Sequence, residues 1–219
     1  MSLQTLRRRL IAQLDPLEGW RPEHRATRSD FDLNPDSERP PRAALKPAAV
    51  LIPIVARPEG AGVILTRRAD GLTSHGGQIA FPGGRLDPGE TAVAAAVREA
   101  GEEIALDAAA IEPLGLGDAY ETGTGFLVTP VVAWLAQPPA LIPHPGEVAE
   151  IFETPWAFLM DAANHQRDFY DREGQARRWF WAMPWEERYI WGVTAGILKA
   201  LRDRLYGDGD EDRAAEDAA

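Results

Sequence analysis

The sequence predicts one α/β or α+β domain built on a mixed sheet, and three observations carry that reading. Strand-like apolar runs alternate with segments of helical period between residues 48 and 206. A length of 219 residues suits one substantial core with peripheral additions. No internal repeat is present.

Taken in order, Leu3, Leu6, Leu10, Ile11 and Leu14 have the spacing of an amphipathic helix over residues 3–14. Residues 18–46 are polar and proline-rich, with Pro40 and Pro41 adjacent, and read as an extended wrap or linker. Strands are expected at residues 48–56, 62–67 and 78–81. The turn Pro82-Gly83-Gly84 then leads through Asp87-Pro88-Gly89 into a helix over about residues 90–104. Further strands are expected at 111–120 and 126–135, followed by a proline-rich break from Pro138 to Pro145. The aromatic segment 166–185, with a turn at Asp171-Arg172-Glu173-Gly174, reads as a β-hairpin, and Ile190 to Tyr206 as a closing helix. The expected organisation is a helix and polar wrap over residues 1–47, the main domain over 48–206 and an acidic, disordered tail over 207–219.

Composition narrows the function. With 34 acidic residues against 23 basic ones, the net charge of −11 argues against a nucleic-acid binder, which needs a basic surface. No apolar run approaches the roughly 20 residues of a membrane helix, and the N-terminal segment lacks the pattern of a secretory signal. A cytoplasmic location is the expectation. The chain has no cysteine, so neither disulfides nor thiol chemistry enter.

The segment Arg98-Glu99-Ala100-Gly101-Glu102-Glu103 carries the chemistry. At about 100° per residue, Glu103 falls about 40° from Glu99 and Glu102 about 60° to its other side, so three carboxylates share a third of the helix. Val93, Val97 and Ile104, with Ala96 and Ala100 beside them, fall on the opposite side and mark the expected core face. Like charges this close need a cation between them, and oxygen-rich clusters suit Mg²⁺ or Mn²⁺. A loop folding back from the helix start could bring Glu90 to Arg98; along a straight helix the eight-residue separation would span about 12 Å.

The run from Gly84 through Glu90 to Arg98-Glu99-Ala100-Gly101-Glu102-Glu103-Ile104-Ala105-Leu106 resembles the Nudix box, G-x5-E-x7-R-E-U-x-E-E-x-G-U. Gly84, Glu90, Arg98, Glu99, Glu102, Glu103 and Leu106 match at the right spacing. Ala100 is small for its position, and Ala105 replaces the final glycine at a cost of about 1 kcal/mol if φ is positive there. The resemblance implies an α/β/α sandwich and metal-dependent hydrolysis of a nucleoside diphosphate derivative. Glu99 and Glu103 would be metal ligands, with Glu102 completing the cluster. Glu102 or Glu147 would be the general base. Arg98 with Glu90 would position the helix, and Gly83-Gly84 would lend a backbone carbonyl.

Upstream, Thr66, Arg68, Ala69, Gly77, Phe81, Pro82, Gly83 and Gly84 resemble the additional signature of the coenzyme A pyrophosphatases. Arg67 and Arg68 are the candidate phosphate contacts. Thr73 stands where that signature has a second arginine, with Arg67 and His75 as candidates to compensate. On coenzyme A the products would be 4′-phosphopantetheine and adenosine 3′,5′-bisphosphate. The competing expectations are hydrolysis of another nucleoside diphosphate derivative, such as ADP-ribose, and a non-catalytic nucleotide-binding module. Intact Glu99, Glu102 and Glu103 weigh against the last.

Overall fold

The computed structural model describes residues 1–21, 26–71, 76–171 and 177–207. Helix α1 (Leu3–Gln13) opens the chain, capped by the Ser2 hydroxyl, which accepts the Thr5 amide. A two-residue strand β1 (Arg28–Ser29) precedes the long strands β2 (Lys46–Arg57) and β3 (Gly60–Arg68). Short strands β4 (Ile79–Ala80) and β5 (Gly83–Arg85) lead to helix α2 (Ala92–Ile104). Strands β6 (Glu112–Leu116), β7 (Tyr120–Glu121), β8 (Phe126–Leu135) and β9 (Val148–Pro155) follow, with a short helix α3 (Trp156–Met160). Strands β10 (Gln166–Tyr170), β11 (Arg178–Trp185) and β12 (Arg188–Trp191) and helix α4 (Val193–Tyr206) complete it.

The main sheet is mixed. Strands β2 and β8 run parallel in register from Lys46 opposite Phe126 to Val55 opposite Leu135. Strand β2 pairs antiparallel with β3 and β5, and β3 antiparallel with β4 and β9. Leu51, Ile52, Ile54 and Val55 of β2 are all fully buried, because helices cover both sides of the sheet. Ile52 and Ile54 enter the core shared with α1, α3 and α4, whereas Leu51 and Val55 enter the core shared with α2. That is an α/β/α sandwich, and each such side chain contributes roughly 1.5–3 kcal/mol on burial.

Several elements differ from expectation. The strand expected at 111–120 divides into β6 and β7, because Gly117 donates its amide to Pro130, which has no N–H to return. Ile190 and Trp191 belong to β12; Gly192, at φ 65°, turns the chain before the closing helix begins. The expected hairpin is therefore a three-stranded sheet, with β11 paired to both β10 and β12. Its turn at residues 172–174 and the tail at 208–219 lie outside the described residues. Within the polar N-terminal segment, β1 pairs parallel with β7, and the Asn34 amide exchanges two 2.8 Å hydrogen bonds with the Trp179 backbone. The segment is thus tied to both sheets.

Candidate active site

Helix α2 begins where Thr91 accepts the Ala94 amide. Its buried arc is made of Ala92, Ala95, Ala96, Ala100 and Ile104, small side chains that let the helix backbone approach the sheet. Glu103 belongs to that arc and is only 5% exposed. Val93 and Val97 are only half-buried. Ala96, Ala100 and Ile104 of the expected core face are buried, but the expectation that this face is set apart from the carboxylates is corrected: the alanine side, flanked by Glu99 and Glu103, rests on β2 and β5.

The folded-back loop is present. Arg98 donates from Nε and Nη2 to the two oxygens of Glu90, each at 3.0 Å, and from Nη2 to the Arg85 carbonyl at 3.1 Å. Its Nη1 reaches Glu99 at 3.0 Å and Glu102 at 3.1 Å. One guanidinium thereby fastens the loop at residues 85–90 to the helix and spans two carboxylates. The same contact holds the Glu90 carboxyl below the usual range.

Glu103 accepts the Gly83 amide at 3.3 Å and lies 3.7 Å from Arg68 Nη1. Burial pushes its carboxyl up to about 7; the Gly83 amide and Arg68 oppose that shift, while the charges of Glu99 and Glu147 add to it. Burial also raises Glu99, with Arg98 opposing. Gly84 makes room for Glu99: a Cβ there would lie 2.3 Å from its Oε1. Arg68 Nε is buried and, among the described residues, has no hydrogen-bond partner.

Glu147 arrives by a route the sequence does not announce. In the proline-rich break, the amides of Ile142 and His144 donate to the Ile104 and Glu103 carbonyls, satisfying the C-terminus of α2. Glu147 follows, its carbonyl accepting the Ala69 amide at 2.9 Å and its half-exposed carboxylate 3.8 Å from His144 Nδ1. Glu102 points outward, with its side chain 61% exposed.

Arg67 and Arg68 part company. Arg68 faces Glu103, whereas Arg67 pairs with Glu150 at 3.5 Å and Asp70 at 3.3 Å. Successive strand residues point to opposite faces, and the pairing with β9 skips a residue between these two arginines. Arg188 closes on Glu150 at 2.5 Å from 38 residues away, a partnership without any local sequence signal. Thr73 and His75 lie outside the described residues.

Among the described residues, no three acidic or histidine side chains form a ready-made cation cage. The donor set nevertheless fits a hard divalent cation: Glu99 and Glu103 supply carboxylate oxygens one turn apart, and the burial of Glu103, with the smaller repulsion from Glu99 and Glu147, is what a cation offsets.

A NUDIX domain model matches residues 45–180. The chain belongs to the Nudix family. Proteins named "Uncharacterized Nudix hydrolase NudL" are similar to it. The one from Escherichia fergusonii is 44% identical over 159 residues, spanning 70% of this chain and 80% of that protein. Those from Escherichia coli (strain K12) and Klebsiella pneumoniae are each 42% identical, over 157 and 170 residues. These matches span 70% and 74% of this chain, and 80% and 85% of theirs. Among solved structures, the NUDIX domain of Shewanella oneidensis NrtR complexed with ADP ribose aligns over 80% of this chain and 97% of that one. It does so at 18% identity and a TM-score of 0.48, a likeness that decides nothing about the ligand. Nudix hydrolases act on nucleoside diphosphate derivatives and generally use divalent cations such as Mg²⁺ or Mn²⁺. No helix among the described residues is long and apolar enough to cross a membrane.

Proposed function

We propose that this Nudix hydrolase cleaves the diphosphate linkage of coenzyme A or its derivatives, releasing 4′-phosphopantetheine and adenosine 3′,5′-bisphosphate. The observation that carries the reading is the meeting of Arg68 with Glu103 at 3.7 Å. Arg68 belongs to the upstream signature and Glu103 to the box, so the two sequence patterns converge on one place. The Arg68 side chain is 30% exposed, so its guanidinium is open to a diphosphate oxygen beside Glu103.

Glu99 and Glu103 would hold Mg²⁺ or Mn²⁺, with Glu102 completing the set once released from Arg98, and the cation would supply shielding of the diphosphate and a lowered pKa for water. Arg98, fastened to Glu90, keeps the helix and its carboxylates in register with the loop at Gly83 and Gly84. Glu147 is favoured over Glu102 as the base that takes the proton of the attacking water. The charges of both acids act on Glu99, but only that of Glu147 also acts on Glu103, and Glu102 is tethered outward by Arg98. The test compares kcat/KM on coenzyme A, dephospho-coenzyme A and ADP-ribose at one Mg²⁺ concentration, with an EDTA-stripped control. Faster turnover of coenzyme A than of ADP-ribose is expected, and none without metal. An ADP-ribose preference of about tenfold or more, some 1.4 kcal/mol, overturns the substrate; full activity after stripping overturns the metal site.

A further inference from the structure

A cleft of about 750 Å³ lies between the end of strand β3 and the turn joining β11 to β12, lined in part by Arg67, Ile79, Glu150, Arg188, Tyr189 and Trp191. Arg67 and Arg68 are consecutive on β3: Arg67 lines the cleft, and Arg68 reaches toward Glu103 of α2. Its arginines are already engaged: Glu150 accepts from Arg188 at 2.5 Å and lies 3.5 Å from Arg67, and Arg188 Nη1 donates to Glu186 at 2.9 Å. Glu186 and Glu187 also line the cleft, so three carboxylates face two guanidiniums. A phosphate would meet net negative charge there.

The apolar side is aromatic. Tyr189 is 39% exposed, and its hydroxyl donates to Asp168, which fixes the direction of the ring. Trp191 packs edge-on to Phe180 at 5.0 Å, and Phe180 lies 5.8 Å from Tyr170, so an aromatic ladder crosses the small sheet and ends in the cleft. A planar face beside carboxylates suits a neutral ring that carries N–H and O–H donors.

We propose that this cleft is the subsite for the nucleobase and ribose of the diphosphate substrate, and that it makes no favourable contact with a phosphate on that ribose. This rests on the reading of the chain as a nucleoside diphosphate hydrolase, but its test is binding without turnover. The full-length protein, stripped of metal, is titrated with AMP, adenosine 3′,5′-bisphosphate, 4′-phosphopantetheine and pyrophosphate, monitored through its tryptophan indole N–H signals in ¹H–¹⁵N spectra. Trp191→Phe identifies the reporting signal. AMP is expected to shift the Trp191 signal, and Tyr189→Ala to weaken AMP about fivefold or more, the loss of one stacked base. Pyrophosphate binding stays unchanged, and the bisphosphate binds no more tightly than AMP. Equal AMP affinity in wild type and Tyr189→Ala overturns the subsite. So does a Tyr189→Ala defect confined to 4′-phosphopantetheine, or one shared equally by pyrophosphate. A bisphosphate about tenfold tighter than AMP overturns its selectivity. Hydrolysis enters none of these readouts, so a failed substrate assignment and a failed subsite are distinguishable.

Discussion

Replacing Gly84 by alanine isolates the geometry of the carboxylate cluster from the stability of the fold. The added Cβ would lie 2.3 Å from Glu99 Oε1, 2.5 Å from its Cδ and 2.8 Å from its Oε2. Ordinary contact begins at 3.4 Å, so the carboxylate must retreat by about 1 Å. Gly84 is not at positive φ, and the obstructing atoms are the far end of a flexible side chain. Stability should therefore change little, within about 1 kcal/mol. Activity is another matter. A 1 Å displacement of a positioned group lowers turnover about a hundredfold, or roughly 2.7 kcal/mol in the barrier. The assay is kcat/KM on the best substrate across a Mg²⁺ titration, with thermal unfolding measured in parallel. Shortening the acid makes room for the methyl group, so Gly84→Ala combined with Glu99→Asp should be no worse than Glu99→Asp alone. The reasoning fails if Gly84→Ala stays within about threefold of wild type, or if the two losses simply multiply.

Glu103→Gln keeps shape but not charge, and turnover at saturating Mg²⁺ should fall by about two orders of magnitude or more while the fold survives; near-wild-type turnover would remove Glu103 from the metal site. Ala105 sits at φ 53°, ψ 31° past the end of α2, with the Leu106 amide donating to the Ala100 carbonyl. Ala105→Gly relieves about 1–2 kcal/mol of left-handed strain against 0.4–1 for ordering a glycine, so Tm should rise by about 1–4 °C; a fall would show that the αL site carries no penalty. His165, buried with one ring nitrogen on the Leu159 carbonyl, is pushed by burial down to about 4 from 6.5. Unfolding lets it take up a proton, so stability is full above pH 6.5 and declines by up to roughly 3 kcal/mol toward pH 4. Urea unfolding across that window should show the decline shrinking in His165→Leu, and an unchanged slope would assign it elsewhere.

Much of this molecule is written locally. The apolar run of β2 announces a strand, and the interval from Gly84 to Leu106 sets out both the loop that returns to Arg98 and the left-handed site now held by Ala105. These depend on fixed spacings along one segment, which helix and strand periods convert directly into directions. Periodicity gives only relative directions. It placed Glu99, Glu102 and Glu103 on one arc, but not that arc against the sheet; the alanines beside it decided that, by letting the helix settle close enough to bury Glu103. Contacts between distant segments were still less legible. The proline-rich break satisfies the end of α2 through backbone amides, which carry no residue signature, and so brings Glu147 near the cluster. Arg67 and Arg68 are adjacent and both are candidate phosphate contacts in the sequence, yet the alternation of β3 sends Arg68 to Glu103 and Arg67 to Glu150. Arg188 meets Glu150 only because the small sheet folds against the end of the large one, and that approach depends on side-chain packing across the whole core.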